Sequence, residues 1–186
     1  RGIACRTGTK VDSIQVSGDV ARVSISANGK QEQLEAEAVL VAIGFVPQTQ
    51  YLNLESANVQ TQRGFIGIDD RMRTNVPSVY AIGDVAGPPC LAHKAMHEGV
   101  ICVEHIAGVA TARPLERNRI PGCTYCHPQV ASVGLTEAAA RDAGYEVKVG
   151  KFPFLANGRA LGQGDTTGFV KMLACARTDR ILGVHI

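Results

Sequence analysis

Thr74-Asn-Val-Pro-Ser-Val-Tyr-Ala-Ile-Gly-Asp84, followed after the break Gly87-Pro-Pro89 by Leu91-Ala-His-Lys-Ala95, is the stretch on which the fold of this chain turns. The run Val79 to Ile82 reads as a short strand of small side chains. Gly83 breaks it and Asp84 stands at its carboxyl end, where an α/β sheet normally receives a ligand. A carboxylate there accepts hydrogen bonds from sugar-like hydroxyls, and a charge-assisted bond of this kind contributes about 1.5–3 kcal/mol. From Leu91 to Ile106 the spacing predicts a helix, with Ala92, Ala95, Met96, Gly99, Val103 and Ile106 as an apolar stripe of the kind that faces a core. The two prolines before it cannot be helical, so its start is well defined, and the free N–H groups and positive dipole end there favour an electron-rich ring edge. Taken alone, a Gly-Asp pair also reads as a solvated turn.

Upstream, Lys10 to Ile43 reads as a sheet. Val11, Ile14 and Val16 lead into a turn at Ser17-Gly18-Asp19, and Val23 and Ile25 alternate with polar neighbours as in a half-buried strand. Asn28-Gly29 is a strong hairpin signal, because both residues tolerate the positive φ of a type I′ turn. Ala38 to Ile43 is apolar on both faces, which predicts an interior strand ended by Gly44. Pro47 to Pro114 reads as α/β, with a further strand from Phe65 to Ile68. A loop rich in Arg, Pro and Asn, Thr111 to Pro121, suggests a domain boundary. Beyond it lies an α+β segment. Its strands are Val130–Val133, Tyr145–Phe154, Gly168–Ala174 and Ile181–Ile186, and its helix is capped by Thr136 and ends at Gly144.

The totals exclude several classes. With 186 residues, 45% of them hydrophobic and 19% charged, the chain has material for an ordinary core. A formal net charge of +2 with dispersed basic residues argues against nucleic acid or an anionic membrane as partner. No apolar run has the length of a membrane span. The abrupt ends, Arg1 without an initiator Met and Ile181 to Ile186 without a cap or tail, suggest cuts inside a longer protein. The six cysteines read as reduced thiols rather than a secreted disulfide framework. Cys123-Thr-Tyr-Cys-His127 formally fits a haem c attachment pattern, and Cys123 with Cys126 could form a redox or zinc half-site. No second ligand pair lies nearby. His93 and His97 share a helix face without the Glu of a zincin motif between them, and His105 and His185 belong to no constellation.

The Thr74–Asp84 run resembles the second FAD motif of the pyridine nucleotide-disulfide oxidoreductases, with Thr74, Tyr80, Ala81, Gly83 and Asp84 at matching positions. Ala92-His-Lys-Ala95 is similar to the dihydrolipoamide dehydrogenase branch of that family. The likeness continues through Cys126-His-Pro-Gln-Val-Ala-Ser-Val-Gly-Leu-Thr-Glu137 and Gly150-Lys-Phe-Pro-Phe154 to Gly168-Phe-Val-Lys171. The resemblance implies that Asp84 bonds the flavin ribityl chain and that Cys90, Leu91, Ala92 and His93 lie along the flavin. It also implies that Val11 and Gly44 line an NAD site, although Val11 alone reads equally well as an ordinary strand residue. Cys90 stands where Met is usual, after an extra Pro, and Phe45 follows Gly44 where Arg is common.

The fold implied is mixed α/β and α+β: residues 1–46 the end of an NAD-binding domain, 47–118 a central FAD-contacting segment, and 119–186 the first part of a dimerisation domain. The chain has no G-x-G-x-x-G phosphate turn, no Cys-x4-Cys redox pair and no His-Pro followed by a suitably spaced Glu. No catalytic residue is therefore expected within it, and no metal site. The resemblance implies a parent enzyme oxidising dihydrolipoamide with NAD⁺ through FAD. Its partners would be the lipoyl group of a 2-oxoacid dehydrogenase or glycine cleavage complex and a second copy of itself, in a bacterial cytoplasm or mitochondrial matrix. Two alternatives stand beside it: a glutathione- or mercuric-reductase-type relative, and a non-catalytic α+β interaction module.

Overall fold

Asn28 and Gly29 hold φ of 50° and 76° and join strand β2 (Val20–Ala27) to strand β3 (Lys30–Ala36), as the hairpin signal predicts. Strand β1 (Lys10–Ser17) pairs antiparallel with the other edge of β2, giving a three-stranded sheet in the order β1-β2-β3. Alternation in the central strand buries Ala21, Val23 and Ile25 on one face. The computed structural model describes residues 2–110 and 113–186, and the chain divides into two units, Arg1–Val46 and Pro47–Ile186.

The second unit begins with a two-stranded ribbon, β4 (Thr61–Gln62) and β5 (Phe65–Ile66). A 3₁₀ turn over Gly83–Ala86 and helix α1 (Ala92–Ile106) follow. Val59, Ile66, Ala81 and Ala86 form the core here, packed by Leu54, Ile68, Val76, Val79 and Val85. A five-stranded antiparallel sheet follows in the order β6-β7-β10-β9-β8, built from β6 (Gly122–Thr124), β7 (Val130–Gly134), β8 (Val147–Pro153), β9 (Phe169–Cys175) and β10 (Ile181–His185). Helix α2 (Glu137–Asp142) covers one face, seating Ala140 on Leu173, Cys175 and Leu182. Thr136 caps α2 by accepting the Ala139 N–H at 3.2 Å, and Asn157 caps α3 (Gly158–Gln163) in the same way at 3.1 Å. Two glycines permit the β7 to β10 crossing, since a Cβ on Gly134 would strike the Leu182 carbonyl and one on Gly183 the Leu135 carbonyl.

The mixed α/β architecture expected from the sequence is present, with corrections to individual elements. Ala38–Ile43 forms no strand: it lies beyond β3 without a ladder partner among the described residues, and Leu40 and Ile43 are 90% and 95% exposed. Val79–Ile82 is not a strand either, since its only bridge among the described residues is Arg73 with Tyr80, and the expected Phe65–Ile68 strand ends at Ile66. An interior strand exists only where neighbours take its peptide groups on both sides. The stripe expected on α1 is only partly covered: Ala95 and Gly99 are half-buried, whereas Ala92, Met96, Val103 and Ile106 are exposed. The strand expected from Tyr145 starts at Val147, while β6 and α3 were not foreseen. Of the loop expected from Thr111 to Pro121, Thr111 and Ala112 lie outside the described residues, and the remainder carries a 3₁₀ turn at Arg117–Arg119.

Candidate functional site

Thr74 is buried and holds the turn of its own motif. Its N–H donates to the Val79 carbonyl at 2.9 Å, its hydroxyl donates to the same oxygen at 2.9 Å, and it accepts the Val76 N–H at 3.1 Å. Asn75 ties this turn to the preceding loop, accepting the Gln60 N–H at 2.8 Å and donating to the Asn58 carbonyl at 2.7 Å. Tyr80 leans on His105 with ring centroids 6.3 Å apart, and Ala81 is in the core. Four of the five motif positions named above thus face inward or shape the backbone. Asp84 alone presents a free group: its side chain is exposed and makes no hydrogen bond or ion pair among the described residues.

Gly83 takes φ 75°, a left-handed value that favours glycine, and a Cβ there would stand 3.3 Å from the Ala95 methyl. The chain can therefore approach α1 closely and then turn back through Gly87, at φ 106°. Leu91 is the N-cap of α1 and supplies no side-chain cap. The first i→i−4 bond of the helix is Ala95 N–H to Leu91 C=O at 3.2 Å, so the N–H groups of Ala92, His93 and Lys94 precede the intrahelical ladder. A partner-free carboxylate and an uncapped fifteen-residue helix thus sit on one short junction.

Of the residues singled out in the sequence, Asp84, Cys90, Leu91, Ala92 and His93 lie on this junction. Cys90 and Leu91 are half-buried and Ala92 is exposed. The His93 ring donates from Nε2 to the Pro121 carbonyl at 2.8 Å, which commits its side chain to the following loop and leaves its backbone N–H for any ligand. Val11 and Gly44 belong to the first unit. Val11 is an exposed residue of β1 opposite Ile25, and Gly44 is exposed with φ 126°. Cys123 and Cys126 are free and exposed, the Cys126 thiol donating to the Pro128 carbonyl at 2.9 Å. No group of three or more His, Cys, Asp or Glu is arranged to hold a metal among the described residues, and no helix there is long and apolar enough to cross a membrane.

Residues 1–99 match the pyridine nucleotide-disulphide oxidoreductase family, and residues 120–186 match its dimerisation domain. The chain belongs to this family. It is 48% identical over its whole length to a dihydrolipoyl dehydrogenase of Zymomonas mobilis and 45% identical to one of Rhizobium etli, covering 40% and 39% of those proteins. Its fold is similar to LpdA of Mycobacterium tuberculosis, with a TM-score of 0.84 and 25% identity over 95% of this chain and 38% of that one. It is also similar to the HOCl-induced flavoprotein disulfide reductase RclA of Escherichia coli, with a TM-score of 0.80 and 28% identity over 95% of this chain and 40% of that one. The chain thus spans about 40% of the length of the curated relatives it matches. The resemblance drawn from the Asp84 motif is borne out at the level of family and fold, and FAD and NAD(H) are the cofactors this family uses. The junction fits an FAD on chemical grounds, with one carboxylate to accept hydroxyls and free N–H groups for an electron-rich ring.

Two residues of the junction escaped the sequence reading. Lys94 and Glu98 are each 1% exposed and form an ion pair of 3.1 Å on the buried side of α1. The only sequence signal was their i,i+4 spacing, which ordinarily marks a solvated helix face. Lys before Glu is moreover the weaker order for a surface pair.

Proposed function

We propose that this chain forms part of an FAD- and NAD-dependent dihydrolipoyl dehydrogenase, in which it carries one flavin-contacting junction and not the redox disulfide. The overall reaction oxidises a dihydrolipoyl dithiol to its disulfide. Two electrons and one proton reach NAD⁺ as a hydride equivalent, and the second proton goes to solvent. FAD, when bound, supplies the two-electron relay between the two substrates. This chain's own part is to bind and orient. Asp84 accepts hydrogen bonds from ribityl hydroxyls, and the N–H groups at the start of α1, with Cys90, Leu91, Ala92 and His93 around them, stabilise negative charge at the pyrimidine edge of the ring. Val11 and Gly44 contribute to the NAD site. Residues 1–46 belong to the NAD-binding domain, 47–118 to the central domain and 119–186 to the dimerisation domain of a homodimer. Its partners are lipoyl groups of a 2-oxoacid dehydrogenase or glycine cleavage complex, in a bacterial cytoplasm or mitochondrial matrix.

The observation that carries this reading is the exposed Asp84, with no side-chain partner among the described residues, beside an uncapped helix start, in a chain 45–48% identical to dihydrolipoyl dehydrogenases. The likeness to RclA, at 28% identity, keeps a sibling disulfide reductase as the second reading. Asp84→Asn in the native polypeptide that carries this sequence should weaken FAD binding at least about tenfold, the value of one charge-assisted bond. Titration of the apoprotein with FAD, followed by flavin fluorescence, measures this, and unchanged affinity would overturn the site. Turnover of dihydrolipoamide against oxidised glutathione and other disulfide substrates separates the two readings. The 186 residues by themselves, without a phosphate turn or redox pair, should show no dihydrolipoamide turnover and little FAD binding.

A further inference from the structure

A buried lysine and a buried glutamate on one helix are costly unless their partners justify them, and here each bonds backbone groups of the junction as well as the other. The Lys94 ammonium donates to the Gly83 carbonyl at 3.0 Å and the Gly87 carbonyl at 2.8 Å, while Glu98 Oε2 accepts the Gly83 N–H at 2.7 Å. These three bonds fall on both sides of Asp84, and the turn between them is closed by the Gly87 N–H to the Asp84 carbonyl at 3.1 Å. The ion pair therefore grips the backbone before and after the one exposed carboxylate of the junction. A well-packed apolar pair in the same place is often as stable or more so, so net stability alone does not explain the charges. Three backbone groups held by two locked side chains do define a direction.

The geometry points to Lys94 and Glu98 as positioning residues that fix the 3₁₀ turn and so aim the Asp84 carboxylate at the flavin ribityl chain. This deepens the reading that Asp84 binds FAD and rests on it. Neither side chain touches the cofactor. Their effect on FAD must then pass through Asp84 and must disappear when that carboxylate is absent, whereas a purely structural pair would change stability and leave FAD affinity to vary independently of Asp84.

The test is a double-mutant cycle in the native polypeptide, with FAD affinity of the apoprotein and its thermal unfolding as the two readouts. Lys94→Met combined with Glu98→Gln removes both charges together and keeps an acceptor for the Gly83 N–H. We expect this pair of substitutions to weaken FAD binding about tenfold, and to change it less than about twofold when Asp84→Asn is already present. Lys94→Arg is the second variant if the double change does not fold. It keeps the charge opposite Glu98, but its planar fork cannot set one ammonium on both carbonyls, so a smaller loss with the same dependence on Asp84 is expected. Equal losses with and without Asp84→Asn, or unchanged affinity in a folded variant, overturn the positioning role alone. Unchanged affinity in Asp84→Asn by itself overturns the FAD reading of the site and this inference with it.

Discussion

Helix α2 turns Ala140 onto Leu173 and leaves Glu137 half-buried and Arg141 exposed, whereas helix α1 turns Lys94, Glu98 and Cys102 inward and leaves Met96, Val100, Val103 and Ile106 exposed. Both belong to the same unit and both have clear starts in the sequence. They differ in what their buried faces contribute. Around α2 the buried atoms are apolar, and transfer from water stabilises them at roughly 25 cal/mol per Å². Around α1 the buried charges are matched by named peptide groups, which fixes a backbone direction more than it adds net stability. The contrast separates a region specified by packing from one specified by hydrogen bonding.

The contrast breaks most sharply on Glu98→Ala. That change leaves the Lys94 ammonium buried without its counter-charge and the Gly83 N–H without its acceptor, and it should cost about 3–5 kcal/mol in denaturant unfolding of the native polypeptide. A cost below about 1 kcal/mol, the range of exposed ion pairs, would place α1 with ordinary solvated helices. Leu173→Ala probes the apolar counterpart: Leu173 is fully buried against Ala140 and Leu182, and the cavity left behind should cost about 3 kcal/mol. FAD affinity should stay near its original value in that variant, so a parallel loss of flavin would blur the distinction between the regions. Thr136→Ala removes the side-chain cap of α2 and should cost about 1 kcal/mol, read as a small fall in unfolding midpoint.

The smallest expected effect is a pH dependence. Lys171 and then Arg141 hold the Glu137 carboxyl down to about 2 from the ordinary 4.5, through hydrogen bonds of 2.6 and 2.8 Å. Because the folded value lies below the unfolded one, the pairing stabilises fully above about pH 4.5 and is lost as pH falls towards 2. Stability measured across that window should fall more steeply in the parent than in Glu137→Gln. Identical slopes would show that these partly exposed pairs are fully screened.

The features legible in the sequence were those set within a few residues. Asn28-Gly29 makes its hairpin and Thr136 caps its helix because turn dihedrals and caps depend on near neighbours. Gly87-Pro-Pro89 marks the start of α1 for the same reason. Ala38–Ile43 and Val79–Ile82 misled because hydrophobicity signals a capacity for burial, while a strand needs partners that a local window does not contain. Helical periodicity likewise gave the stripe of α1 without saying which side would be covered. At the junction, Asp84 was found through its motif, but Lys94 and Glu98 were hidden behind a spacing shared by countless surface pairs.

By itself the sequence determined the family, the turns and caps, and the placing of Asp84 between a glycine break and a helix start, because these rest on residue types at short fixed spacing. Only the tertiary structure decided which face of α1 is buried, that Lys94 and Glu98 close on Gly83 and Gly87, and that His93 is drawn to Pro121. Those outcomes depend on which peptide groups meet across gaps of seven to twenty-eight residues. Burial turns an ordinary pair of charges into a directional clamp only after the chain has brought those groups together.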